Sequence, residues 1–91
     1  MGRMARVVVI MEILPSDPST DLNNLVERIK ERLPEGFELK GFETKPVAFG
    51  LSLVKAMFVI PEEEGAPQKL EKIVNGFDEV EEVNVVAMTR L

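Results

Sequence analysis

The stretch that decides the fold is "RVVVIMEILPSDPSTDLNNLVERIKERLPEG", residues 6–36, because the spacing of its apolar residues changes partway along. Its first part, Arg6 to Pro15, is rich in β-branched side chains and ends at a proline, which predicts a β-strand. The second part has apolar residues at positions i, i+3, i+4, i+7 and i+11, which form one stripe of an amphipathic helix. The stripe residues are Leu22, Leu25, Val26, Ile29 and Leu33.

Both ends of this helix carry recognisable signals. Ser19 or Thr20 can cap the first turn, and the carboxylate of Asp21 suits the positive end of the helix dipole. Pro34 and Gly36 follow the last stripe residue, and both residue types end helices.

Three further segments have the pattern of strands. "FELKGFETKPV", residues 37–47, alternates weakly and contains a glycine, which fits an edge strand that can accommodate a bulge. "GLSLVKAMFVIP", residues 50–61, predicts a stronger strand. "VEEVNVVAMTRL", residues 80–91, predicts the last one.

A second helix is predicted within "EGAPQKLEKIVNGF", residues 64–77. Pro67 suits its first turn and Gly76 its end. Its apolar stripe consists of Leu70, Ile73, Val74 and Phe77.

The resulting order is β-α-β-β-α-β. Right-handed crossovers then predict an α+β fold of the ferredoxin-like plait type, with a four-stranded antiparallel sheet of spatial order 4-1-3-2 and both helices on one face. A chain of 91 residues has room for one such core, so we expect a single domain over residues 1–91.

The strand directions give an expectation about the two ends of the sheet. We expect the third strand to run parallel to the first and the fourth to run antiparallel to it. The start of the third strand and the end of the fourth would then meet at one edge. Phe49, just before the third strand, would lie near the C-terminal "MTRL", residues 88–91.

Side-chain alternation assigns one apolar set to the helices and another to the open face of the sheet. In the third strand, the helix side receives Val54, Ala56, Phe58 and Ile60. The open face is expected to carry Val8, Ile10, Leu51, Leu53, Met57, Val59, Val86 and Met88. A lone monomer usually exposes less apolar surface than this, so we expect the open face to meet another protein.

Composition excludes several classes of function. The chain has no cysteine and no histidine, which removes thiolate nucleophiles, disulfides and the usual zinc or copper ligands. We therefore expect no catalytic residues, no metal and no cofactor. The 16 acidic and 11 basic residues give a net charge of −5, which disfavours direct binding to nucleic acid. The apolar runs are shorter than the ~20 residues that span a bilayer, so we expect no membrane insertion and a cytoplasmic protein.

Two acidic runs have alternative interpretations. "PEEEG" contains Glu62 to Glu64, and "DEVEE" covers Asp78 to Glu82. Acid/base pairs or a cation site are conceivable, but acidic runs beside turns are usually solvated. We interpret both runs mainly as solvated surface that aids solubility.

Three segments together resemble a known family. "TKPVAFGLSLVKAMFVIP", the following "EEEG" and the terminal "VNVVAMTRL" are similar to the archaeal elongation factor 1-beta family and to the C-terminal exchange domain of its eukaryotic relatives. The resemblance covers the whole chain. It implies a guanine nucleotide exchange factor for elongation factor 1-alpha, the GTPase that delivers aminoacyl-tRNA to the ribosome.

The most specific part of the resemblance is a P-[VI]-[AG]-[FY]-G-[LI] segment joined to a C-terminus of a basic residue and leucine. In the family, the aromatic residue of this loop contacts the GTPase, and the next-to-last basic residue approaches its magnesium and phosphate region. The resemblance carries these roles to Phe49 and Arg90. The implied partner-binding set is Pro46, Ala48, Phe49, Gly50, Arg90 and Leu91.

Two alternatives remain open from the sequence. The ring of Phe49 can instead fold over the end of the core. The whole chain can also be a small-ligand-sensing or homo-oligomeric regulatory plait that self-associates through its open sheet face, which predicts a concentration-dependent dimer.

Overall fold

The computed structural model describes residues 5–91 and has the predicted order of elements. The first four residues of the predicted domain, 1–91, lie outside the described part. The strands are β1 (Arg6–Pro15), β2 (Glu38–Pro46), β3 (Ser52–Pro61) and β4 (Val80–Arg90), and the helices are α1 (Leu22–Arg32) and α2 (Ala66–Asn75). One sheet has the order β2-β3-β1-β4, so the predicted ferredoxin-like α+β plait is confirmed.

The core lies between one face of the sheet and the two helices. Alternation in β1 buries Val9, Met11 and Ile13, and the four residues predicted for the helix side of β3 are all buried in the same cluster. The helix stripes supply Leu25, Val26, Ile29, Leu70, Val74 and Phe77. Neither helix in residues 5–91 is long and apolar enough to cross a membrane.

The cap of α1 differs from the predicted one. Asp21 is the N-cap, and its side chain accepts a hydrogen bond from the backbone N–H of Asn24 at 3.1 Å. Ser19 instead donates its N–H and hydroxyl to Asp17 in the preceding turn. The aspartate that was expected to act only on the helix dipole therefore satisfies one of the open N–H groups of the first turn.

Loss of this cap gives a stability prediction. We expect Asp21→Ala to lower the free energy of unfolding by about 1 kcal/mol, because a donor of the first turn loses its partner. Asp21→Asn is the matched control, since asparagine caps helices about as well as aspartate. Chemical denaturation of the three proteins measures the difference, and equal midpoints for alanine and wild type would contradict the assigned cap.

The predicted direction of the third strand is wrong, whereas the antiparallel direction predicted for the fourth is confirmed. β1 is antiparallel to both β3 and β4, so these two run in the same direction. The crossover through α1 makes β2 parallel to β1, and the tight connection to β3 then reverses the chain. The start of β3 lies beside the end of β1, where Val54 pairs with Ile13, while the end of β4 lies beside the start of β1, where Arg90 pairs with Val7.

The strand pairing shifts register at three places, one of them between Leu14 and Pro15 of β1, where these residues pair with Glu82 and Val80 of β4. The bulge expected in β2 is present, because the register shifts between Leu39 and Gly41. A second bulge, which the sequence did not indicate, leaves Val86 as an extra residue in β4, because Ile10 pairs with Ala87 and Met11 with Val85.

Because of the bulge in β4, the residues that follow it lie on the opposite face of the sheet from the one predicted. Beyond it, Met88 pairs with the buried Val9, and Arg90 pairs with Val7, which packs against the core. Paired residues share a face in an antiparallel sheet. Met88 therefore belongs to the helix side and not to the open face.

Candidate functional site

The connection between β2 and β3 is a tight turn with Phe49 at its tip. The N–H of Leu51 donates to the carbonyl of Ala48 at 3.2 Å, and the N–H of Val47 donates to the carbonyl of Leu51 at 2.8 Å. Phe49 and Gly50 both have positive φ, of 60° and 77°. Positive φ at both central positions is the signature of a type I′ turn, which connects hairpin strands of normal twist.

Phe49 is an unusual occupant of this turn. Its position favours asparagine, aspartate or glycine, and a bulky side chain at positive φ is strained. The residue is nevertheless 97% exposed, so the interpretation of a ring folded over the core is wrong. The neighbouring Pro46, Ala48 and Gly50 are also exposed. The hairpin thus presents an aromatic side chain to solvent with no stabilising contact to offset its backbone strain.

The other predicted contact, Arg90, is held by an ion pair within the chain. Its Nε donates to Oε2 of Glu62 at 2.8 Å, and Nη2 donates to the same oxygen. The hydrogen bond and then the charge of Glu62 raise the pKa of Arg90 above its usual value. Leu91 follows β4, and its N–H donates to the carbonyl of Arg6 at 2.8 Å. The chain terminus is therefore continuous with the sheet.

The predicted proximity of Phe49 and Arg90 is wrong. Arg90 lies level with Ile60, because both pair with Val7. From Ser52 to Ile60 the strand rises about 3.3 Å per residue, or about 26 Å in all. Phe49 lies beyond Ser52, at the far end of a body whose longest dimension is 50 Å. The six predicted partner-binding residues thus form two separate groups at opposite ends of the sheet.

The open face of the sheet exposes less apolar surface than the sequence predicted. Leu53 and Val59 are buried within the single chain, and Val8 and Ile10 are only partly accessible. Met57 is the exposed apolar residue at the middle of this face, at 42%.

A shallow depression lies beside Met57, and sequence reasoning did not identify it. It has a volume of about 370 Å³ and lies over Gly41, whose missing side chain leaves the space open. Ile10, Lys40, Phe42, Glu43, Lys55, Ala56 and Met57 complete its lining. The glycine in the edge strand β2 was the available signal in the sequence.

The two acidic runs are not uniformly solvated surface. Glu62 pairs with Arg90, and Glu79 pairs with Arg28 of α1. The hydrogen bond from Arg28 lowers the pKa of Glu79. Within residues 5–91, no group of three or more carboxylates has the arrangement of a metal site.

Comparison with known proteins adds independent findings. Residues 8–91 match the family model described as the EF-1 guanine nucleotide exchange domain. The chain is 44% identical to elongation factor 1-beta of Hyperthermus butylicus over 97% of each chain. It is 42% identical to elongation factor 1-beta of Staphylothermus marinus, over 97% of this chain and 99% of that protein.

One solved structure supports the fold alone. The solution structure of the C-terminal domain of the MgtC protein from Mycobacterium tuberculosis superposes with a TM-score of 0.59. The match covers 96% of this chain and 92% of that one at 16% sequence identity.

Proposed function

This chain belongs to the family of EF-1 guanine nucleotide exchange domains, and from that premise we propose that it promotes exchange of GDP for GTP on elongation factor 1-alpha. It acts in translation elongation as an exchange factor and not as an enzyme with covalent chemistry. We assign its action to the cytoplasm. The relatives named elongation factor 1-beta align over nearly their whole length, which supports this assignment.

The observation that carries the proposal is the exposed, strained Phe49. A hydrophobic ring in water on a positive-φ backbone is unfavourable for the isolated chain, and such strain is concentrated at functional positions. Burial of the ring in a pocket of the GTPase offsets that strain. Exposed aromatic residues of this kind are typical anchors of protein interfaces.

We assign the second contact with the GTPase to Arg90 and Leu91. A GTPase holds GDP through its phosphates and a magnesium ion, and these are surrounded by charged groups. A guanidinium brought to that region competes for the anionic groups and weakens the hold on the nucleotide. By linkage, the factor and GDP then weaken each other's binding equally, with each tenfold step corresponding to about 1.4 kcal/mol.

The separation of the two groups shapes this mechanism. Phe49 and Arg90 are joined by the rigid β3–β1–β4 ladder and lie about 26 Å or more apart. We therefore infer that the factor touches the GTPase at two places. Binding of the hairpin tip at one place raises the effective concentration of Arg90 at the other.

The remaining partner assignments follow from surface and charge. The net charge of −5 argues against direct nucleic-acid binding, and we propose no membrane contact. Self-association through the open sheet face stays a prediction, as does the alternative of a small-ligand-sensing or homo-oligomeric regulatory domain.

The proposal is tested by the release of a fluorescent GDP analogue from elongation factor 1-alpha in the presence of excess unlabelled nucleotide. We expect substoichiometric amounts of this chain to accelerate release, because one molecule can act on many GTPases. Calorimetry with GDP and the chain alone is the control, and we expect no heat of binding. Unchanged release at saturating concentrations of the chain would refute the exchange function.

A further inference from the structure

The ion pair between Arg90 and Glu62 uses only one edge of the guanidinium. Nε and Nη2 both donate to Oε2 of Glu62. Among residues 5–91 the structure gives Nη1 no hydrogen-bond partner. Arginine has five N–H donors in a planar fork, so a carboxylate on the Nε edge leaves the outer end able to bind a second anion.

Glu62 is held more firmly than Arg90, the other residue of the ion pair. Glu62 directly follows β3, its backbone N–H donates to the carbonyl of Ala5 at 2.9 Å, and its side chain is 34% exposed. The side chain of Arg90 is 70% exposed. An arginine at such a position samples many rotamers unless another group restrains it. The better anchored residue therefore restrains the more mobile one.

We propose that Glu62 is a positioning residue for exchange: it holds the Nε edge of Arg90 so that the Nη1 end is presented to the anionic groups around the nucleotide of the GTPase. This inference rests on the proposed role of Arg90. It explains why a carboxylate lies at the end of the molecule that approaches an anionic site, where simple charge attraction disfavours it.

The direction in which the exchange rate changes when Glu62 loses its charge distinguishes positioning of Arg90 from a general electrostatic effect. Removal of a negative charge near an anionic site speeds association if only the overall field matters. Glu62 also competes with the anionic groups of the GTPase for the guanidinium of Arg90. Its removal would favour exchange for this second reason as well. Positioning predicts the opposite, because the released arginine must be ordered again each time it engages the GTPase.

The test compares Glu62→Gln with Glu63→Gln in the release assay at saturating concentration of the factor. The two variants change the net charge equally within one loop, but the side chain of Glu63 has no ion pair among the described residues. We expect Glu62→Gln to lower the maximal release rate about two- to fivefold, the range of an exposed ion pair, and Glu63→Gln to leave it unchanged. In the Arg90→Ala background, Glu62→Gln is expected to have no further effect.

A second measurement reports positioning without the GTPase. In a ¹⁵N-¹H spectrum of the free chain, the Nε–H signal of Arg90, assigned by its loss in Arg90→Ala, is expected at a distinct shift with slow side-chain motion. Glu62→Gln is expected to move it to the averaged position of exposed arginines, while Glu63→Gln leaves it in place.

Three results would overturn the proposal. The first is a Glu62→Gln rate equal to or above that of Glu63→Gln while Arg90→Ala is slow, which leaves the exchange role of Arg90 intact. The second is a normal rate for Arg90→Ala, which removes the role of Arg90 itself. The third is an unchanged Nε–H signal in Glu62→Gln.

Discussion

Replacement of Phe49 by alanine is expected to slow GDP release about ten- to a hundredfold, the effect of removing a buried aromatic anchor from an interface. The ring makes no core contact, because it is 97% exposed in the isolated chain. The melting temperature is therefore expected to stay close to that of wild type. Release kinetics and thermal unfolding measured on the same preparations separate the two effects.

Phe49→Asn is the more informative variant, because it removes the aromatic ring and keeps a residue that favours the turn. Asparagine followed by Gly50 is a favoured pair for a type I′ turn. We expect Phe49→Asn to be as stable as wild type or more stable by up to about 1 kcal/mol, because the strain of a bulky residue at positive φ is relieved. Exchange is expected to fall as far as in the alanine variant.

Phe42→Ala is the matched aromatic control in the same hairpin. Phe42 pairs with the buried Ala56 and so lies on the helix side of β2. Phe42 is 39% exposed, and its truncation is expected to leave exchange per folded molecule unchanged. A Phe49→Ala protein that loses stability but exchanges normally would contradict the assignment of Phe49 to the partner.

Loss of the C-terminal cation is expected to have the second large effect. Arg90→Ala, or deletion of Arg90 and Leu91, is expected to lower the exchange rate by at least about tenfold, the effect of removing hydrogen bonds to charged groups. Affinity for the nucleotide-free GTPase is expected to fall less, because the hairpin contact remains. Release rates over a range of magnesium concentrations, with binding measured in parallel, test this difference.

Lys69→Ala is the control for charge, since Lys69 is exposed on α2 and its loss changes the net charge equally. It is expected to exchange like wild type. An Arg90→Ala rate equal to wild type at every magnesium concentration would mean that the hairpin tip acts alone.

The order and approximate bounds of the elements could be predicted because apolar spacing changes clearly between strands and helices. β1 was predicted with the bounds that the structure has. The direction of β3 was predicted wrongly, although a crossover from β1 to β2 followed by a hairpin to β3 already makes β3 antiparallel to β1. The bulge at Val86 was not predicted, because residues 85–88, "VVAM", are all apolar and side-chain alternation cannot locate the extra residue among them.

The role of the candidate site residues stays a prediction from the sequence, and the geometry predicted for them was wrong. The motif around Phe49 and the basic residue before Leu91 stand out in the sequence, whereas their separation depends on the direction of β3. The pair of Arg90 with Glu62 joins residues 28 positions apart, and only the fold brings them together. Glu62 therefore looked like one member of a solvated acidic run.

The central claim is that the two ends of the sheet act together on one GTPase. The most direct test is the release rate of a fluorescent GDP analogue from elongation factor 1-alpha, measured with wild type, Phe49→Ala, Arg90→Ala and the double variant at equal concentrations. Because the sites lie far apart, their effects on the free energy of activation are expected to add, so the fold-losses multiply and the double variant approaches the spontaneous rate. A double variant that still accelerates release as wild type does would contradict the account.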